Sequence, residues 1–150
     1  MNGKTYSQKV AAVFEIIGYV LLLPMSFGLM GSFFMLVIGL AGGAAEPVLI
    51  SFLFILMVAA GLYLLVGYYR HGRGSLSQES VFILWKATAA YNFVLLLPWL
   101  IAAAVFLQFR EGLAANGNWF VFFISIAIVA LHATVIYFSL KAHAFENRKK

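Results

Sequence analysis

The chain has no cysteine and no aspartate, and only 10% of its 150 residues are charged. The first absence excludes disulfides, thiolate metal sites and cysteine nucleophiles. The acids are Glu15, Glu46, Glu79, Glu111 and Glu146. No paired-carboxylate site, Ser-His-acid set or phosphate-binding loop is legible among the remaining polar residues. The shortage of charge also excludes an ordinary soluble domain, because a chain that is 64% hydrophobic cannot supply a polar surface. A net charge of +5 does not point to nucleic acid here, since cations in such a chain usually set membrane topology.

What is present is long apolar sequence. Four runs are long enough to cross a bilayer, for which about 20 helical residues suffice. They predict an all-α membrane protein, a four-helix transmembrane bundle forming one domain over 1–150, with helices near 10–40, 47–69, 81–109 and 119–140. The first and third exceed the bilayer requirement and are expected to tilt or to begin at the interface. Their buried parts are expected at Ile16–Ile38 and Ala87–Leu107. The first run far exceeds the about 7–15 residues of a signal-peptide core, so it reads as a spanning helix.

The cations fall on one side of this threading. Lys4, Lys9, Arg70, Arg73, Lys86, Lys141, Arg148, Lys149 and Lys150 share a side, and only Arg110 lies on the other. The positive-inside rule then predicts an integral membrane protein with the N-terminus, the middle loop and the C-terminus in the cytoplasm.

The word VLLLP occurs at Val20–Pro24 and again at Val94–Pro98, a shift of 74 residues. The same shift carries Ala41 and Gly43 onto Ala115 and Gly117, Ile50 and Ser51 onto Ile124 and Ser125, and Tyr63 onto Tyr137. These matches predict two parallel hairpins, a 2+2 repeat of 1–74 and 75–150, related by an axis along the membrane normal. Pro24 and Pro98 would kink the first helix of each hairpin by removing a backbone donor.

Polar residues inside the apolar runs are few. On the fourth run Asn118, Ser125, His132 and Ser139 recur every seven residues, placing them on one helix face and predicting a packing stripe. Glu15, Tyr19, Tyr63, Lys86, Asn92, His132 and Tyr137 all fall toward the cytoplasmic side and predict an inner-leaflet polar cluster, with Glu15 and Lys86 as its charged rim. The string EIIG at Glu15–Gly18 resembles the first-helix glutamate of small multidrug-resistance exporters over four residues; the chain is longer than those exporters, and its later helices lack their Gly/Trp pattern. Haem held between His71 and His143 is disfavoured, because both histidines sit in basic, water-facing ends. Zinc lacks a third clustered ligand. No catalytic residue, metal ligand or cofactor is therefore assigned.

These features predict a non-catalytic small integral membrane protein, an accessory or assembly subunit that packs against a larger membrane partner or against copies of itself. The alternative is a small transporter or a lipid- or quinone-binding protein using the inner-leaflet cluster. A third class, a membrane toxin-immunity protein, would carry the same composition. Besides partner proteins, the bilayer itself is the expected contact, and nucleic acid is not.

Overall fold

The computed structural model describes residues 4–108 and 119–148, and they form four long helices and no strand. These are α1 (Tyr6–Gly42), α2 (Ala45–Gly72), α3 (Gln78–Gln108) and α4 (Trp119–Asn147). Each contains a stretch long and apolar enough to cross a membrane, which is compatible with an integral membrane protein. The chain divides into two compact units, Met1–Ser77 and Gln78–Lys150. In the first, α1 packs against α2; in the second, α3 packs against α4.

The helices outrun their apolar stretches. α1 begins at a capping box: the Gln8 amide donates to Thr5 Oγ1 at 3.3 Å, and the Thr5 amide donates to Gln8 Oε1 at 3.0 Å. α2 continues through Arg70 and His71, and α4 continues through Lys141 and His143. Hydropathy marks where hydrocarbon ends, whereas backbone hydrogen bonding carries a helix on into water. The polar segment between α2 and α3 is accordingly short, with only residues 73–77 outside the helices. The expected outer turn from Arg110 to Asn118 lies outside the described residues.

Two glycines close their helices with left-handed backbone. Gly43 (φ +68°) ends α1, and the Ala44 amide reaches back to the Gly39 carbonyl at 2.9 Å. Gly74 (φ +72°) follows α2, where the Ser75 amide donates to the Arg70 carbonyl at 2.9 Å. Both conformations are costly for residues with a Cβ.

α1 and α3 remain helical through Pro24 and Pro98, and both prolines are exposed. Each proline leaves the carbonyl four residues earlier without its helical donor.

Part of the buried set recurs in the two hairpins at the same spacing. On α1 the buried positions include Ser7, Val10, Ala11 and Phe14; on α3 they include Val81, Leu84, Trp85 and Thr88. On α2 they include Ser51, Leu65, Tyr68 and Gly72; on α4 they include Ser125, Ser139, Ala142 and Glu146. These positions differ by 74, whereas Val58 and Leu64 on α2 and Leu96 and Phe106 on α3 are buried and the positions at that shift from them are not. The side chains that fill the recurring positions differ. Phe14 meets Tyr68 edge-on at 5.6 Å in the first hairpin, whereas in the second Phe106 stacks on Phe122 at 5.0 Å and meets Trp119 at 5.1 Å.

Close approach of α1 and α2 depends on small residues. A Cβ on Gly39 would lie 2.9 Å from Val48 Cγ2, 3.2 Å from Pro47 Cγ and 3.3 Å from the Ala44 carbonyl oxygen. None of these can swing away, since they belong to a branched side chain, a ring and the backbone. Gly31, on the same helix, has nothing within 4 Å of its hypothetical Cβ. Gly39→Leu should therefore lower stability by about 1–3 kcal/mol through overpacking, while Gly31→Leu should stay within about 0.5 kcal/mol of the parent. Unfolding in mixed detergent micelles checks the contrast; equal losses at both positions would contradict the packing.

Candidate functional site

In hydrocarbon a polar side chain without a partner costs more than in water, so hydrogen bonding within the helices decides which side chains remain available for chemistry. Four hydroxyls are satisfied by their own helix. Thr88, Ser125 and Thr134 each donate to the carbonyl four residues earlier at 2.8 Å, and Ser139 does so at 2.7 Å. This back-bonding lets a helix carry a hydroxyl into an apolar setting.

Two histidine-centred links join neighbouring helices. The first lies at the charged end of the α1–α2 hairpin, where His71 Nε2 and Ser7 Oγ are 2.9 Å apart and both residues are buried. The second lies deep in the α3–α4 hairpin, where His132 Nδ1 and Asn92 Oδ1 are 2.8 Å apart. Asn92 is buried and His132 half-buried. The Asn92 amide nitrogen in turn donates to the Thr88 carbonyl at 2.9 Å. Asn92, on α3, is thus held by its own helix while it bonds across to α4.

Of the stripe expected on α4, three residues are described. Ser125 and Ser139 are fully buried, and His132 between them bonds to α3. Asn118 lies outside the described residues. The seven-residue spacing continues one step further to Glu146, which is also buried.

The expected inner-leaflet cluster divides between the two hairpins. Glu15, Tyr19 and Tyr63 belong to the first. Glu15 is half-buried against α2, where a Cβ on Gly72 would meet its carboxylate at 3.9 Å. Tyr19 and Tyr63 are exposed. Lys86, Asn92, His132 and Tyr137 belong to the second. Lys86 and Tyr137 are exposed, with the Lys141 ammonium 5.7 Å from the Tyr137 ring. Of these seven residues, Asn92 and His132 are joined by a direct hydrogen bond.

The two histidines weighed for haem are placed differently from expectation. His71 is buried and bonded to Ser7, not water-facing, because α2 stays helical past Arg70 and turns the imidazole onto α1. His143 is half-buried, packing edge-on against Phe82 at 5.3 Å. Among the described residues no three His, Cys, Asp or Glu side chains gather as a metal site. The Ser7–His71 link was invisible to sequence reasoning, since no periodicity connects positions on two different helices.

No family model matches the chain, and no curated protein or solved structure is significantly similar to it.

If the Asn92–His132 bond holds α3 to α4, the two side chains should be coupled. Asn92→Leu and His132→Leu in a double-mutant cycle should show an interaction of about 0.5–1.7 kcal/mol, the range of hydrogen bonds between membrane helices. Unfolding of purified protein in detergent measures it, and purely additive losses would contradict the link.

Proposed function

We propose that the protein is a non-catalytic integral membrane subunit that packs against a larger membrane partner. One observation carries this reading. Most polar side chains deep in the helices bond within their own hairpins, while large apolar side chains face outward on all four helices. Phe27, Ile50, Val94 and Phe120 are each more than half exposed. Such a surface requires lipid or another apolar protein face.

The proposed architecture is a duplicated hairpin with both termini in the cytoplasm. Matching burial positions at a constant shift of 74 support the duplication. The charges support the orientation. Lys4, Lys9, Arg70 and Arg73 lie at the open end of the first hairpin, whereas its turn carries Glu46 and no cation. An arginine–aromatic contact adds an interfacial anchor at the open end, with the Arg73 guanidinium 3.9 Å from the Tyr69 ring centre.

A second reading, a small transporter or lipid- or quinone-binding protein, draws on one specific feature: His132 is polar, deep and incompletely covered.

Isolation in mild detergent distinguishes the two. The subunit reading predicts a second membrane protein, or further copies of this chain, at fixed stoichiometry by native mass measurement. That complex should be lost on replacing outward Phe33 and Phe34 with alanine while the chain still inserts. A monodisperse single chain that retains a small molecule would contradict the subunit reading.

A further inference from the structure

We propose that His132 Nε2 is a preset hydrogen-bond acceptor for a neutral, lipid-soluble hydroxyl donor, of the class of a quinol or a fatty alcohol. The inference goes beyond the subunit reading and rests only on α3 and α4 spanning the membrane.

The direction of each hydrogen bond follows from the groups that make it. The Thr88 carbonyl can only accept, so the side of the Asn92 amide that faces it is the NH2, and the carbonyl side faces His132. Asn92 Oδ1 likewise only accepts, so His132 Nδ1 carries the proton and donates it. In the neutral imidazole the other nitrogen then holds a bare lone pair. Among the described residues of the α3–α4 hairpin nothing donates to Nε2. The chain from Thr88 through Asn92 to His132 selects one tautomer and holds the ring in one orientation.

The first hairpin provides an internal control. Its positions equivalent to Asn92 and His132 are Gly18 and Val58. There Gly18 lets the Leu65 side chain approach to 2.7 Å of a hypothetical Cβ, and Val58 is a buried apolar residue, so this part of the α1–α2 crossing closes without a polar pair. Packing alone therefore does not require the polar pair of the second hairpin, which points to a task other than closure.

Depth and chemistry select the donor. His132 precedes Lys141 by nine residues, placing it about 13 Å from the first charged residue toward the C-terminus, close to the middle of a bilayer about 30 Å thick. Phospholipid headgroups do not enter that region, and a charged donor would be heavily penalised. Serine and threonine on a partner helix are poor candidates as well. In this chain four such hydroxyls already donate to their own helix. A phenol or alcohol dissolved in hydrocarbon has no such internal acceptor and gains most from the imidazole lone pair.

The test uses the full-length protein with 15N-labelled histidine in phosphatidylcholine nanodiscs, with His132 assigned by His132→Phe. The probes are decylhydroquinone, its dimethyl ether, which cannot donate, and dioleoylglycerol. The proposal expects the Nδ1–H tautomer in the free protein and a shift of the Nε2 resonance with at least one hydroxyl donor. The ether should leave it unmoved. A response to decylhydroquinone alone supports a quinol-class ligand, and a response to dioleoylglycerol alone supports a neutral-lipid alcohol. His132→Phe should weaken binding about tenfold, the equivalent of one such hydrogen bond, while His143→Phe should leave it unchanged. Should His132→Phe fail to insert, Asn92→Ala keeps the imidazole and removes its tether; it should give mixed tautomers and several-fold weaker binding. Protonated Nε2 in the free protein, no response to either donor, an equal response to the ether, or an unchanged tautomer in Asn92→Ala would overturn the proposal. So would an Nε2 held by a donor from a co-isolated protein. Failure of the parent chain to enter nanodiscs would instead count against the membrane reading.

Discussion

Hydrocarbon offers a polar group nothing to bond with, and the arrangement of this chain follows from that constraint. Backbone amides and carbonyls are satisfied by continuous helices. Hydroxyls turn back onto their own helix at Thr88, Ser125, Thr134 and Ser139. His132 bonds across the helix pair to Asn92, whose amide also turns back onto its own helix at Thr88. Where water is available the rules relax. The ends of α2 and α4 carry Arg70, Lys141 and Arg148 at exposed positions, and their helices extend beyond the apolar stretch without needing a hydrophobic face.

At positions 74 residues apart the two hairpins pack with different chemistry. Where the first has Gly18 and Leu65, the second has Asn92 and Ser139. Where the first has Ala11 and Tyr68, the second has Trp85 and Ala142, and all four are buried. In each case a small residue on one helix accompanies a larger one on the other, and the assignment is exchanged between hairpins. Such an exchange roughly conserves local volume, which is the change a packed seam tolerates best. It also leaves the first hairpin with an apolar crossing and the second with the Asn92–His132 bond.

Much of the architecture was legible from composition. Run length identified four helices, because a spanning helix must be continuously apolar, and few soluble elements share that signature. Boundaries were less legible: the first turn of α1 and the last turns of α2 and α4 are polar, and a hydropathy reading stops short of them. The stripe on α4 could be read because its spacing lies along one helix. Ser7 and His71, 64 positions apart, could not be, since only the register of two helices brings them together. The proposed inner-leaflet cluster drew on depth alone. Depth does not specify the direction in which a side chain points, and Tyr19, Tyr63, Lys86 and Tyr137 turn outward.

The account stands or falls on whether the outward apolar faces meet hydrocarbon. The chain has no cysteine of its own, so single cysteines can report it directly, labelled with a membrane-impermeant maleimide in sealed vesicles of both orientations. Cysteines replacing Phe27, Ile50 or Val94, among the more exposed side chains of the protein, should react from neither side. A cysteine at Ser75 should react only from the cytoplasmic face. Ready labelling at Ile50 or Val94 in sealed vesicles would show those faces in water and contradict the membrane-spanning arrangement.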